Sequence, residues 1–430
     1  MQAVGLDFGT TNSALGVADG ERAVLARFPH KAGFTDTFRS ILYFHPELRD
    51  AVGRLGVVGG GRAIDAYLEA DGSGRLIQSL KTYLADRGFQ ATNIFGTTLS
   101  LGELLKRLLV DIRARAEEQF GDLGPRLVVG RPVKFAGGST AESETLALDR
   151  LRNALAAAGW SDVVFEFEPI AAAYYYESLL DHDESVLIAD FGGGTSDFSL
   201  IDVGPSFRTG GKARSIRGTE GVGIAGDALD ARIMQHLVAP RLGAGSSYRS
   251  MFGKELTVPI WIYKHLNRWH HLSFLKSKKN IDMLEEILSQ AAAPGPLAAL
   301  LHVLEHDLGY HLYRAVERVK VELSSQEHAR FAFSEPPLVI EADVSRAEFE
   351  GWIEGDVGEM AGCVDRLLEK TGARPADVDR VFMTGGSSFV PAVRRIFDER
   401  FGREKIRAGG EMISVATGLA LRAQEESAKR

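Results

Sequence analysis

The strongest pattern in the chain is a pair of apolar runs joined by a glycine turn. Val186-Leu187-Ile188-Ala189 closes on Asp190, then come Phe191, Gly192, Gly193, Gly194 and Thr195, and an alternating run from Ser196 to Val203 follows. An apolar run that ends on turn residues and resumes with a period of two predicts strand, tight turn and return strand. The same plan stands near the N-terminus: Val4 to Asp7, then Phe8-Gly9-Thr10-Thr11-Asn12, then an apolar run to Val17, with a turn one residue shorter. Apolar residues at helical spacing predict helices over Leu101–Phe120, Thr140–Ala158 and Ala315–Ser325, and buried-type strands over Arg126–Val133 and Val163–Phe165. Glu168-Pro169 and three alanines follow that last strand directly, so a helix begins there with proline in its first turn. Val381–Thr384 reads as a strand ending in Gly385-Gly386, with Ser387 or Ser388 capping a helix that carries Pro391 in its first turn. Residues 239–309 break this rhythm, with turn-rich stretches and a basic, aromatic segment from Trp261 through Trp269, His270 and His271.

Composition narrows the class. A chain of 430 residues has room for two substantial lobes. A formal net charge of −8 argues against nucleic acid as a partner, and the lone cysteine, Cys363, excludes an internal disulfide and a cysteine zinc site. No apolar run approaches membrane-spanning length, and the first strand begins too early for a leader peptide, so a cytoplasmic protein with no membrane partner is expected. His302 and His306 stand four apart, but no third ligand follows at metal-site spacing, so they read as helix-face histidines.

The chemistry lies in the two turns. Consecutive glycines leave backbone N–H groups open to an anion. The flanking aspartates repel phosphate by themselves and make sense around a hydrated divalent cation. One such hairpin is weak evidence; a duplicated one points to two similar lobes offering a loop each to a single ligand between them. Glu168, at a helix N-terminus, is either a capping carboxylate or a group that orients water in the cleft, and the paired hairpins favour the second. Gly226-Asp227 opens a further helix, and Glu317, Lys320 and Ser324 share one helix face.

Gly5-Leu6-Asp7-Phe8-Gly9-Thr10-Thr11-Asn12, Glu168 to Ala173, Asp190 to Asp197, and Gly385-Gly386-Ser387 together resemble the nucleotide-binding domain of the DnaK-type heat-shock chaperones. Those belong to the actin and sugar-kinase superfamily. The resemblance implies a two-lobed α/β, actin-like ATPase fold of duplicated ribonuclease-H-like domains, with lobe I over 1–186 and 411–430 and lobe II over 187–410. It implies ATP or ADP with Mg2+ as cofactors. Thr10, Thr11 and Asn12 with Gly193, Gly194 and Thr195 would hold phosphates, with Gly9 and Gly192 shaping the turns. Asp7, Asp190 and Asp197 would hold the waters around magnesium, and Glu168 would place the attacking water. Gly226, Asp227, Glu317, Lys320, Ser324, Gly385, Gly386 and Ser387 would line the adenosine.

Three departures qualify the carry-over. The family lysine near the γ-phosphate is expected around Gly60–Ala63, where the basic residue is Arg62. Val321 stands where the family stacks an arginine on adenine. The third is an expectation, that the protein stops after the nucleotide domain, without the family's apolar linker and peptide-binding β-sandwich, which would resemble the short YegD-like members. The expectation is therefore a slow, Mg-dependent, ATP-hydrolysing switch, with a co-chaperone or client meeting lobe II as its further partner. An actin-like filament protein, a small-molecule kinase and a nucleotide-binding pseudo-enzyme are the alternatives.

Overall fold

Both glycine-turn segments form antiparallel strand pairs, each in the middle of its own sheet. The computed structural model describes residues 2–428 other than 21, 31–32, 71–72, 139, 209–214, 251, 268–271, 337 and 409–412, with 208, 215, 273, 274, 408 and 428 described by backbone alone. Trp269, His270 and His271 therefore lie outside the described residues, as do 411–412 and 429–430 of the returning segment.

In the first sheet β1 (Ala3–Asp7) pairs antiparallel with β2 (Asn12–Asp19), and β2 with β3 (Arg22–Leu25). On its other side β1 runs parallel to β4 (Arg126–Arg131), and β4 to β5 (Asp162–Phe167). The second sheet repeats that order and those directions. Here β6 (Glu184–Phe191) pairs antiparallel with β7 (Ser196–Val203), and β7 with β8 (Ser215–Val222). Beyond β6, β9 (Arg380–Thr384) and β10 (Ile406–Ala408) run parallel to it. Leu127-Val128-Val129 of β4 and Leu187-Ile188-Ala189 of β6 are buried throughout, as strands covered on both faces require.

Ten helices matter here, numbered in chain order: α1 (Gly61–Glu69), α2 (Leu101–Phe120), α3 (Ala141–Ala157), α4 (Glu168–Glu177) and α5 (Gly226–Ile233). The others are α6 (Ile260–Leu266), α7 (Gly309–Ser325), α8 (Arg346–Thr371), α9 (Pro391–Phe401) and α10 (Ser414–Ala428). Ser100 and Thr140 start α2 and α3 by reciprocal capping with Glu103 and Ser143. The expected serine cap of α9 is corrected. Ser387 and Ser388 lie in a 3-10 turn, where Ser388 Oγ donates to Gly385 O at 2.6 Å, and Val390 precedes α9 without a side-chain cap.

Helix α10 returns to the first sheet and is wedged between β1 and α4. A Cβ on Gly5 would stand 2.2 Å from Ala420 N, and one on Gly418 1.7 Å from Ala171 O. Both positions let backbones touch, and no side-chain movement can relieve a clash with a carbonyl. Gly418→Ala should thus lower the urea midpoint by an amount equivalent to about 2–3 kcal/mol, since overpacking outweighs the roughly 1 kcal/mol of helix propensity gained. A raised midpoint would show that the helices have room.

Residues 239–309 build a short hairpin (Ser247–Arg249 with Glu255–Thr257), α6 and two further helices, Lys278–Ser289 and Pro294–Glu305. Their buried leucines join the core of the second lobe, around Leu300, Leu304 and Leu312. The segment also reaches the first lobe: Tyr67 Oη of α1 donates to Asp307 O at 2.5 Å, and the Tyr67 ring meets Tyr310 edge-on at 6.0 Å. His302 and His306 pack ring against ring at 4.1 Å. Among the described residues no group of three or more His, Cys, Asp or Glu could hold a metal ion directly, and no helix is long and apolar enough to cross a membrane.

Candidate functional site

The tips of the two turns meet across the cleft. A side chain on Gly193 would stand 2.7 Å from Thr11 Oγ1 and 3.3 Å from Asp227 Oδ1, so only glycine allows this approach. The β1–β2 turn is held from behind: Ser40 Oγ donates to Gly9 O at 2.8 Å, Ser40 N to Thr11 O at 2.9 Å, and Arg39 Nη1 to Asn12 Oδ1 at 3.4 Å. Thr10 is buried beside it. In the β6–β7 turn Gly192 N donates to Thr195 O at 2.9 Å, and Gly193 O accepts from Asp227 N, at the start of α5, at 2.8 Å. The N–H groups of Gly193 and Gly194 donate to no acceptor among the described residues. Open amides at a turn are what an anion needs.

Beneath the turns four carboxylates and one lysine crowd together. Glu168, the first residue of α4, accepts from Lys81 Nζ at 2.6 Å, with both side chains buried. Lys81 comes from a 3-10 turn, Leu80–Tyr83, that follows a left-handed Ser79. Burial alone would lower the Lys81 pKa, but Glu168 and Asp7 outweigh it and hold the ammonium above its usual value. Asp7, at the end of β1, is pushed up to about 8 by burial and then by the charge of Glu168. Asp190, at the corresponding place on β6, is raised to about 6 by burial and Glu168, against the hydrogen bond donated to it by Thr384 Oγ1. Asp197 is raised well above its ordinary value by the same two causes. It also ties the lobes together, because its Oδ1 accepts from Val133 N at 2.9 Å.

This surplus of buried negative charge suits a divalent cation. The fit is to one held through water, since these carboxylates form no direct metal-ligating group.

The predicted adenosine residues divide. Gly226, Lys320 and Ser387 converge: a Cβ on Gly226 would lie 3.3 Å from Ser387 Oγ and 3.5 Å from Lys320 Nζ. Lys320 is committed to Asp230, at 2.7 Å, and Tyr313 Oη donates to the same carboxylate at 3.1 Å. Glu317 instead pairs with Arg314 at 2.8 Å and reaches Arg39 of the first lobe at 3.7 Å. Ser324 turns its hydroxyl back onto Lys320 O, at 2.9 Å. Gly385, at φ 82°, passes so close to β6 that a Cβ would stand 1.9 Å from Phe191 O, and Gly386 opens the following turn. Sequence reasoning assigned no role to Lys81, Thr384, Asp230 or Arg39.

Residues 305–428 match the family model described as Hsp70 protein. The chaperone protein DnaK of Thermus thermophilus, in each of two strains, is 23% identical over 451 aligned residues, which take in 98% of this chain and 60% of each relative. The chain is similar to DnaK/Hsp70-type proteins over nearly its whole length, at low identity. It spans about 60% of the length of these curated relatives. The mixed α/β architecture, with one sheet plan used twice, accords with the two-lobed ATPase fold of that family.

Against the family pattern one expectation is corrected. Arg62, expected near the phosphate end, is exposed on α1, and the cation among the carboxylates is Lys81. Val321 is 61% exposed beside the adenosine residues, so no guanidinium stacks from that position.

Proposed function

We propose that this chain binds Mg–ATP between its lobes, hydrolyses it slowly, and delivers lobe closure as its output, a switch of chaperone type. The single observation carrying this reading is the meeting of the two glycine turns above the Lys81–Glu168 pair. In this reading Thr10, Thr11, Asn12, Gly193, Gly194 and Thr195 cradle the phosphates. Asp7, Asp190 and Asp197 hold the waters of the cation, and Gly226, Asp227, Glu317, Lys320, Ser324 and Gly385 to Ser387 receive the adenosine. Magnesium would supply neutralisation of the polyphosphate charge. Glu168 orients a water for attack and Lys81 offsets charge at the terminal phosphate, so positioning and electrostatics suffice for transfer to water.

The pseudo-enzyme alternative rested on Arg62, and with Lys81 beside Glu168 it loses that ground. The reading predicts that Asp7→Ala and Asp190→Ala each weaken Mg-dependent binding of a non-hydrolysable ATP analogue by about tenfold or more, read by calorimetry. Unchanged affinity in both variants would overturn it.

A further inference from the structure

Where Tyr67 of the first lobe meets Asp307 and Tyr310 of the second, the junction leaves a separate cavity of about 240 Å³. None of the residues assigned above to nucleotide or magnesium lines it. A cavity of about 150 Å³ admits benzene, so this one takes a compact molecule of about ten non-hydrogen atoms. Its backbone is unusual. Among the described residues three other than glycine have φ in the left-handed range, and two of them, Phe95 at 48° and Asp307 at 54°, line this cavity. Phe95 opens the two-residue turn between the strands Ala91–Ile94 and Thr97–Ser100, a place that asparagine, aspartate or glycine usually fills. A bulky ring held there, 47% exposed, points to a use that outweighs the local strain.

The walls fix the class of occupant. Tyr67, Leu76, Leu272, Leu304 and Tyr310 give aromatic and aliphatic surface from both lobes. Three charged side chains join them: Arg75, Lys276 and Asp307. Lys276 Nζ stands 2.6 Å from Asp307 Oδ2, so the one acid in the wall is already offset. Arg75 gives its Nη groups to neutral oxygens, Asn93 O and Thr92 Oγ1, and burial pulls its pKa down. A carboxylate brought close would oppose that shift. Gly309 and Tyr310 open helix α7, whose dipole adds positive potential on the same side. Apolar walls carrying two cations against one acid suit a ring that bears a single negative charge.

We infer that this cavity is a second ligand site, which takes a small aromatic carboxylate and pins the two lobes together. The ring lies against the tyrosines and leucines, and the carboxylate meets Arg75 and Lys276. Because both lobes supply walls, the ligand favours the closed form. A nucleotide that closes the cleft and this ligand then strengthen each other by the same factor. The binding claim stands on the cavity alone; the coupling rests on the nucleotide reading proposed above.

The test uses the full chain, with phenylacetate as the probe and 2-phenylethanol and 2-phenylethylamine as its neutral and cationic counterparts. Saturation-transfer NMR and calorimetry read the binding. Phenylacetate should bind saturably with Kd below about 5 mM, and the amine at least about fivefold more weakly. Lys276→Gln should weaken phenylacetate about threefold or more while leaving 2-phenylethanol within about twofold, a split that a merely structural loss would not give. Leu76→Trp, which fills the cavity, should remove both. Two variants guard against one failing to fold. With Mg2+ and a non-hydrolysable ATP analogue, phenylacetate should bind at least about threefold more tightly. No saturable binding, an amine that binds as well as the acid, or affinity indifferent to both substitutions overturns the site. An analogue that binds without changing the affinity for phenylacetate overturns the pinning of the lobes. If the analogue itself does not bind, the nucleotide reading falls, and phenylacetate measured alone still decides the site.

Discussion

Lys81→Met is expected to slow single-turnover ATP hydrolysis by about 10²- to 10³-fold, the usual loss when one preorganised charge at a developing anion is removed. Binding of a non-hydrolysable analogue should fall far less, because the adenosine residues and the open turn amides are untouched. Methionine keeps the length of the side chain and removes only the ammonium. That leaves Glu168, now without its partner at 2.6 Å, among three other carboxylates. Unpairing a buried ion commonly destabilises by about 3–5 kcal/mol, so the melting temperature with Mg–ADP must be followed in parallel. Arg62→Ala is the matched control. Arg62 is exposed on α1, and its replacement should leave the hydrolysis rate within about twofold. A Lys81 variant that folds and hydrolyses at the parent rate removes lysine from the mechanism. An Arg62 variant that loses activity would return that role to arginine.

Lys81 was hidden in the sequence for a physical reason. The paired hairpins are legible because strand, carboxylate, glycine turn and threonine form a contiguous string, and duplication makes the string specific. From these the two-sheet architecture follows, together with Asp7, Asp190 and the turns. Lys81 carries no such local mark. It is one cation in Leu80-Lys81-Thr82-Tyr83-Leu84, and its burial against Glu168 depends on where a left-handed Ser79 aims a 3-10 turn. A lysine inside an otherwise apolar stretch was the available signal, and it pointed to an unusual environment without naming the partner. The cross-lobe contacts were equally unreadable. Arg39 with Glu317, Val133 N with Asp197, and Tyr67 with Asp307 join residues far apart in sequence, and only the closed fold brings them together. The serine-cap expectation before α9 failed for a local reason: a 3-10 turn takes the chain through Ser387 and Ser388, and Val390-Pro391 makes the helix start.

Nucleotide binding with magnesium should release protons at pH 7, and Asp7→Asn should remove close to one of them per chain. The carboxyl of Asp7 sits at about 8 and that of Asp190 at about 6, both up from 3.8 through burial and the charge of Glu168. In the ligand-free fold at pH 7 Asp7 therefore keeps most of its proton, and Asp190 has lost most of its own. A hydrated divalent cation among these groups favours the ionised form, so the Asp7 proton must leave as the cation arrives. The sign for stability follows from the same shifts. Between about pH 4 and 8 the folded chain holds protons that the unfolded chain has released, so ligand-free stability falls as pH rises through that window. Below about 4 both states are protonated at these groups and the slope disappears. Stabilisation by Mg–nucleotide should grow over the same interval and level off above about 8. Calorimetry in two buffers of different ionisation enthalpy reads the proton directly, and the difference between parent and Asp7→Asn cancels the titration of the nucleotide's own phosphate. A buffer-independent enthalpy difference, or a melting temperature of the ligand-free chain that rises between pH 5 and 8, would show that the aspartates are already ionised. Their charge would then be met by the Lys81 ammonium without any need of a cation.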